Sequence, residues 1–146
     1  MKKNIVLSSV LICFVYLVCS GYRLGPAKYG AGNCTGSTGG PKSCGGTGCH
    51  ANNNSNTLDT ITVIDKTTGV PTVSYIPGQT YTVMLTGTNN SSLPKFGFQV
   101  SATLIDNSQA GTMAITTTPH IQATTTGSIT IIENSNSIDA VSGRYI

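Results

Sequence analysis

The chain has 146 residues and a formal net charge of +3, with 8 Lys and Arg against 5 Asp and Glu, and charged side chains make up only 9% of it. That length is one domain's worth of sequence. Its basic residues beyond the first few positions (Arg23, Lys28, Lys42, Lys66, Lys95 and Arg144) are scattered and lack interleaved aromatics, which excludes a track along a phosphate backbone and so a nucleic-acid partner.

Residues 1–20 predict a signal peptide. Lys2 and Lys3 form its basic start, residues 5–18 are almost wholly apolar, and Val18-Cys19-Ser20 offers a peptidase site with cleavage after Ser20. The apolar run is too short for a membrane span, and Val18 stands where lipid attachment at Cys19 would want a smaller residue. The expected mature chain is therefore exported, secreted or held at the cell surface, with no transmembrane span. Losing the two lysines brings its net charge from +3 to +1.

Residues 21–57 are rich in Gly, Asn, Ser and Thr, contain Cys34, Cys44 and Cys49, and have too few large apolar residues to form a core alone. From residue 58 the pattern becomes short alternating runs: "LDTITVID", "TVSYIPG", "TYTVMLTG", "KFGFQVSATLID", "GTMAITT" and "GSITIIE". Turn residues separate them at Asp65-Lys66, Pro77-Gly78, Gly87-Thr88-Asn89-Asn90 and Asp106-Asn107. Tyr81, Val83 and Leu85 share one strand face. Phe96, Phe98, Val100, Ala102 and Leu104 share another, with Lys95, Gln99, Ser101 and Thr103 opposite. Gly97 inside that strand marks a bulge or a close backbone approach. No helical stripe competes, so the expected fold is all-β: an immunoglobulin-like antiparallel β-sandwich over residues 58–146, preceded by the loop segment. The chain stops at "SGRYI", on a strand that has barely begun, and the sandwich is expected to be incomplete.

Residues 44–50 read "CGGTGCH". Two thiols followed at once by a histidine suit covalent haem c attachment, with Cys44 and Cys49 bonded to the macrocycle and His50 as proximal iron ligand; the spacing is wider than the usual Cys-x-x-Cys-His. His120, Met84 or Met113 would then be the sixth ligand. The same exported compartment equally favours a disulfide between two of Cys34, Cys44 and Cys49, leaving one thiol over. Zinc is disfavoured, because a fourth ligand is distant in sequence. Elsewhere the chain has no nucleophile elbow, no carboxylate pair and no phosphate loop, so no enzymatic activity is expected. Asp59-Thr60-Ile61 resembles the Asp-Ser/Thr-hydrophobe acceptor of O-glycosylation in some Gram-negative bacteria, although a plain strand opening is the simpler reading.

Taken together, "LGPAKYGAGNCTG", Cys49-His50, "YIPGQTYTVMLTG" and "KFGFQVSATL" resemble the reeler-like (reelin N-terminal-like) "choice-of-anchor V" domain of secreted bacterial surface proteins. The resemblance implies an immunoglobulin-like sandwich on an exported protein, commonly with a separate C-terminal anchor, and no agreed activity. Cys44-x4-Cys49-His50 and the additional Cys34 depart from the family's Cys-x-x-Cys-His. The expected function is a secreted or cell-surface structural, adhesion or display module whose partner is another surface protein or a glycan. The alternative is a haem c electron-transfer protein using Cys44, Cys49 and His50.

Overall fold

The structure, a computed structural model, describes residues 8–13, 24–36, 57–89, 95–116, 119–139 and 144–145. Apart from one short helical stretch at 8–13, the regular elements are strands. They are β1 (Thr57–Asp65), β2 (Tyr81–Asn89), β3 (Lys95–Phe96), β4 (Gln99–Ser101), β5 (Ile121–Thr126), β6 (Ile129–Asn134), β7 (Ile138–Asp139) and β8 (Arg144–Tyr145). All pairings are antiparallel. They form a first three-stranded sheet in the order β1-β2-β8, a β3-β7 ladder, and a second three-stranded sheet in the order β4-β6-β5. The expectation of an all-β chain holds.

β1 and β2 pair along their whole length, from Thr57 opposite Asn89 to Asp65 opposite Tyr81. Period-2 alternation places Ile61, Val63, Val83 and Leu85 on one face, as the pattern of Tyr81, Val83 and Leu85 predicts, and threonines on the other. Ile61 and Val83 remain exposed.

The main core lies at the second sheet instead. β6 is its central strand, and Ile131, Ile132, Glu133 and Asn134 are all buried, with Ile138 just beyond. A strand flanked on both sides and covered on both faces must be apolar or fully hydrogen-bonded, and β6 is both.

Several sequence expectations change at this level. Residues 72–78 form no strand: Pro71 makes only an isolated bridge to Ile64, and Val73 is fully exposed. Local turn bonds take over that stretch. Ser74 N donates to the Thr72 hydroxyl at 3.1 Å, and Ile76 N donates to the Tyr81 hydroxyl at 2.8 Å. Residues 111–116 likewise hold no strand. Gly87–Asn89 continues β2 rather than turning. β5, "IQATTT", lay outside the predicted strands.

The expected long strand from 95 is broken into β3 and β4 at Gly97–Phe98. There Asn134 Oδ1 accepts Phe98 N at 3.0 Å and lies 2.7 Å from where a Gly97 side chain would start, so the close approach read from Gly97 is real. Phe98, Val100 and Ala102 are half-buried, but Leu104 is 45% exposed and does not join the core. The cause is a tight reversal after Ala102: Leu104 N donates to Ser108 O, Asn107 N donates to Leu104 O, and Asn107 takes a positive φ of 69°. A prediction follows from this distribution of burial. Ile131→Ala should lower unfolding free energy by about 2–5 kcal/mol, whereas Leu104→Ala should cost less than about 1 kcal/mol, both read by denaturant titration.

Candidate functional site

The densest polar arrangement sits on one face of the second sheet. Gln99 on β4 and Gln122 on β5 are both directly opposite Glu133 on β6, which places a Gln-Glu-Gln row across the three strands. Sequence alternation sets Gln99, Ser101 and Thr103 opposite the apolar row of that strand. All three are half-buried: residues 24–36 cross Gln99 and Ser101 as a strap, and Thr103 bridges to Gln109.

The strap runs from β5 over β6 to β4. At its start, Gln122 Nε2 donates to Leu24 O. In its middle, Ala27 N donates to Glu133 Oε2 at 2.9 Å and Lys28 N to Glu133 Oε1 at 2.9 Å. Near its end, Gln99 Nε2 donates to Gly32 O at 3.3 Å, Cys34 N donates to Gln99 Oε1 at 2.8 Å, and the Thr35 and Ser101 hydroxyls meet at 3.1 Å. Ala27, Asn33 and Cys34 are buried as a result.

Glu133 is fully buried and anchors the arrangement. Besides the two strap amides, its carboxylate accepts Gln99 Nε2 at 2.9 Å, Gln122 Nε2 at 3.3 Å and the Thr124 hydroxyl at 3.2 Å. Five donors converge on two oxygens, which is near the acceptor capacity of a carboxylate. Such a group is a structural brace, with no lone pair aimed at open space for proton transfer or ligand binding. Gly25 explains how the strap comes so close. Its φ is +91°, and a Cβ there would run into the Glu133 carboxyl carbon and stand 2.7 Å from Asn134 O.

The residues singled out from sequence fare differently. Cys44, Cys49 and His50 lie outside the described residues. Cys34 is buried in the strap, its sulfur 3.8 Å from Ala31 O. His120 is exposed on the turn leading into β5, with a positive φ of 71°, and its carbonyl accepts Ser135 N at 2.7 Å. Met84 and Met113 are half-buried. Nothing described brings His120 to a cysteine, and among the described residues no three His, Cys, Asp or Glu side chains gather as a metal site would require. Asp106, fully exposed, is held below the usual carboxylate range by the Ser108 hydroxyl at 2.6 Å and the Ser108 amide at 3.0 Å, a local turn brace. The Glu133 cluster was missed from sequence. Its only signal was a lone Glu ending the apolar run "ITII", a position that burial makes costly unless donors are waiting.

No protein-family model matches the chain, and neither does any curated protein or solved structure.

Removing the brace gives the next prediction. Glu133→Ala takes the acceptor from the Ala27 and Lys28 amides and one of the acceptors from each of Gln99 and Gln122, and should destabilise the fold by at least about 3 kcal/mol. Glu133→Gln should also destabilise, because its NH2 group would face donors. In hydrogen exchange the amides of Ala27 and Lys28 should lose protection in both variants. Retained protection with less than about 1 kcal/mol lost would show that Glu133 does not hold the strap.

Proposed function

We propose that the chain is an exported surface module of the reeler-like kind, acting in structure, adhesion or display and without catalytic activity. The observation that carries this reading is how Glu133 is used. The one fully buried acidic group among the described residues spends its hydrogen-bonding capacity on the chain's own strap, whereas a catalytic acid needs a face open to substrate. Support also comes from the leader-like residues 1–20 and from a polar surface built of Thr, Ser and Asn rather than of charge. The motif "LGPAKYGAGNCTG", one of the stretches on which the resemblance rests, coincides with the strap.

An immunoglobulin-like sandwich is the finer architecture of this proposal. On the first sheet Val63 and Leu85 are half-buried while Ile61 and Val83 beside them stay exposed, and on the second the neighbours Val100 and Ile132 are half-buried and buried, which is the apolar surface such a core would use. Its partners are another surface protein or a glycan.

A haem c carrier is the second reading, favoured by His50 directly following Cys49. One experiment separates the two. The protein is expressed with its own leader, once in a plain exporting host and once with a cytochrome c maturation system. The module reading expects a processed, colourless protein in both, with a disulfide among Cys34, Cys44 and Cys49 by mass spectrometry. A coloured protein whose haem survives denaturation would establish the carrier and remove the disulfide at Cys44 and Cys49, because thioether bonds do not depend on the fold.

A further inference from the structure

We infer that Thr60 on β1 is an acceptor for a covalently attached sugar, with Asp59 and Ile61 as the flanking residues read by the transferase. Asp59 is the one aspartate in the sequence followed directly by Ser or Thr, and Asp59-Thr60-Ile61 has the acid, hydroxyl and apolar order of an O-glycosylation acceptor. The structure adds what the motif alone does not: all three residues are exposed, Ile61 at 59%.

Their arrangement on the strand matters more than exposure alone. Side chains alternate, so the Thr60 hydroxyl projects from one face of the sheet while Asp59 and Ile61 project from the other. β1 is an edge strand in the order β1-β2-β8. Among the described residues its outer edge is covered only at one end, where Asp65 N donates to Val70 O and Thr72 N donates to Val63 O. These two bonds show that Val63 and Asp65 turn their backbone groups outward. By alternation Asp59 and Ile61 do the same, while Thr60 pairs inward with Thr86. An enzyme adding a strand to this edge would therefore bond to the backbone of Asp59 and Ile61, take their two side chains in neighbouring pockets and leave the Thr60 hydroxyl facing away from them. The exposed Ile61, otherwise a liability on an open edge, acquires a reason. A sugar on Thr60 would in turn block edge-to-edge pairing with another chain.

The chemistry is a glycosyl transfer from a sugar activated as a phosphate ester. Thr60 Oγ1 bonds to the anomeric carbon, the bond from that carbon to the phosphate oxygen breaks with its electron pair leaving on phosphate, and the hydroxyl proton passes to a base of the transferase. No oxidant or reductant is involved.

The inference rests on export, since acceptors of this type are read outside the cytoplasm. The test uses the full chain purified from the organism that encodes it. N-terminal sequencing of the same sample reports export independently: an uncleaved leader would overturn the export reading, and the Thr60 result is judged on processed protein. The expected result is that the peptide containing Thr60 carries a sugar mass released by alkaline β-elimination. That mass should disappear in Thr60→Val and in Asp59→Ala, and persist in Thr62→Val. Valine suits a strand as well as threonine does, so unchanged thermal melting of Thr60→Val checks that folding is not the cause. A processed protein whose Thr60 peptide is unmodified overturns the inference. So does a sugar mass on that peptide that persists in Thr60→Val.

Discussion

A carboxylate with no solvent contact is the constraint on which the described structure turns. Burying an ionised carboxyl costs several kcal/mol unless donors replace the lost water, and a half-satisfied group is worse than an apolar one. Glu133 is therefore tolerable only if three separate requirements hold together. β4 and β5 must pair with β6 in the register that puts Gln99 and Gln122 beside it. Gly25 must let the strap approach. The strap must also turn so that consecutive amides, Ala27 and Lys28, reach one oxygen each. A one-residue slip of either neighbour would carry its glutamine to the opposite face, where Ile132 lies, and strand the charge. The polar cluster thus selects register where the short strands, β4 of three residues among them, would otherwise specify it weakly.

How much of this could be read beforehand differs by element. β1, β2 and β6 were visible because "TLDTITVID", "YTVMLTGTN" and "ITIIEN" carry β-branched alternation or a short apolar run, the signals a strand needs. The stretch at 72–78 carries similar residues, yet its Thr72 and Tyr81 hydroxyls satisfy the backbone locally, a competition that alternation does not register. β5 was hidden by its composition, since "IQATTT" alternates little in polarity. The larger gap concerned faces. Alternation tells that Gln99 and Ser101 lie opposite the apolar row but not what covers them. Their cover lies about 65 positions earlier in the chain, in a segment whose own sequence shows no core. Of the readings that a glycine in a strand leaves open, the close approach is the one found at Gly97, where Asn134 Oδ1 comes near.

The strap also bears on the cysteine motif. Its last anchored residues, Cys34 and Thr35, are fixed through Gln99 and Ser101, so the chain enters the cysteine-bearing stretch from a position set by the sheet. Any covalent closure there, whether thioether or disulfide, starts from an ordered root. That lowers the entropy left to lose when the loop is closed. A glycine-rich segment too poor in apolar residues to fold alone can in this way be held without a core of its own.

The two three-stranded sheets divide the work unequally. Around β6 the chain satisfies itself: its central strand is buried, its carboxylate saturated and its polar face covered by the strap. Around β1 and β2 it does not. Apolar Ile61 and Val83 reach solvent, and among the described residues only those near Val63 and Asp65 have a neighbour on the outer edge of β1. Natural sheets seldom leave a long edge bare without a device against pairing, such as charge, a bulge, proline or an attached group. Here Pro71 and its neighbours supply that device at one end only. At the other end the described residues offer the single charge of Asp59. Among the described residues the buried half of the structure is therefore the half that encloses its own N-terminal strap, and the threonine-rich β1-β2 pair is the more exposed one.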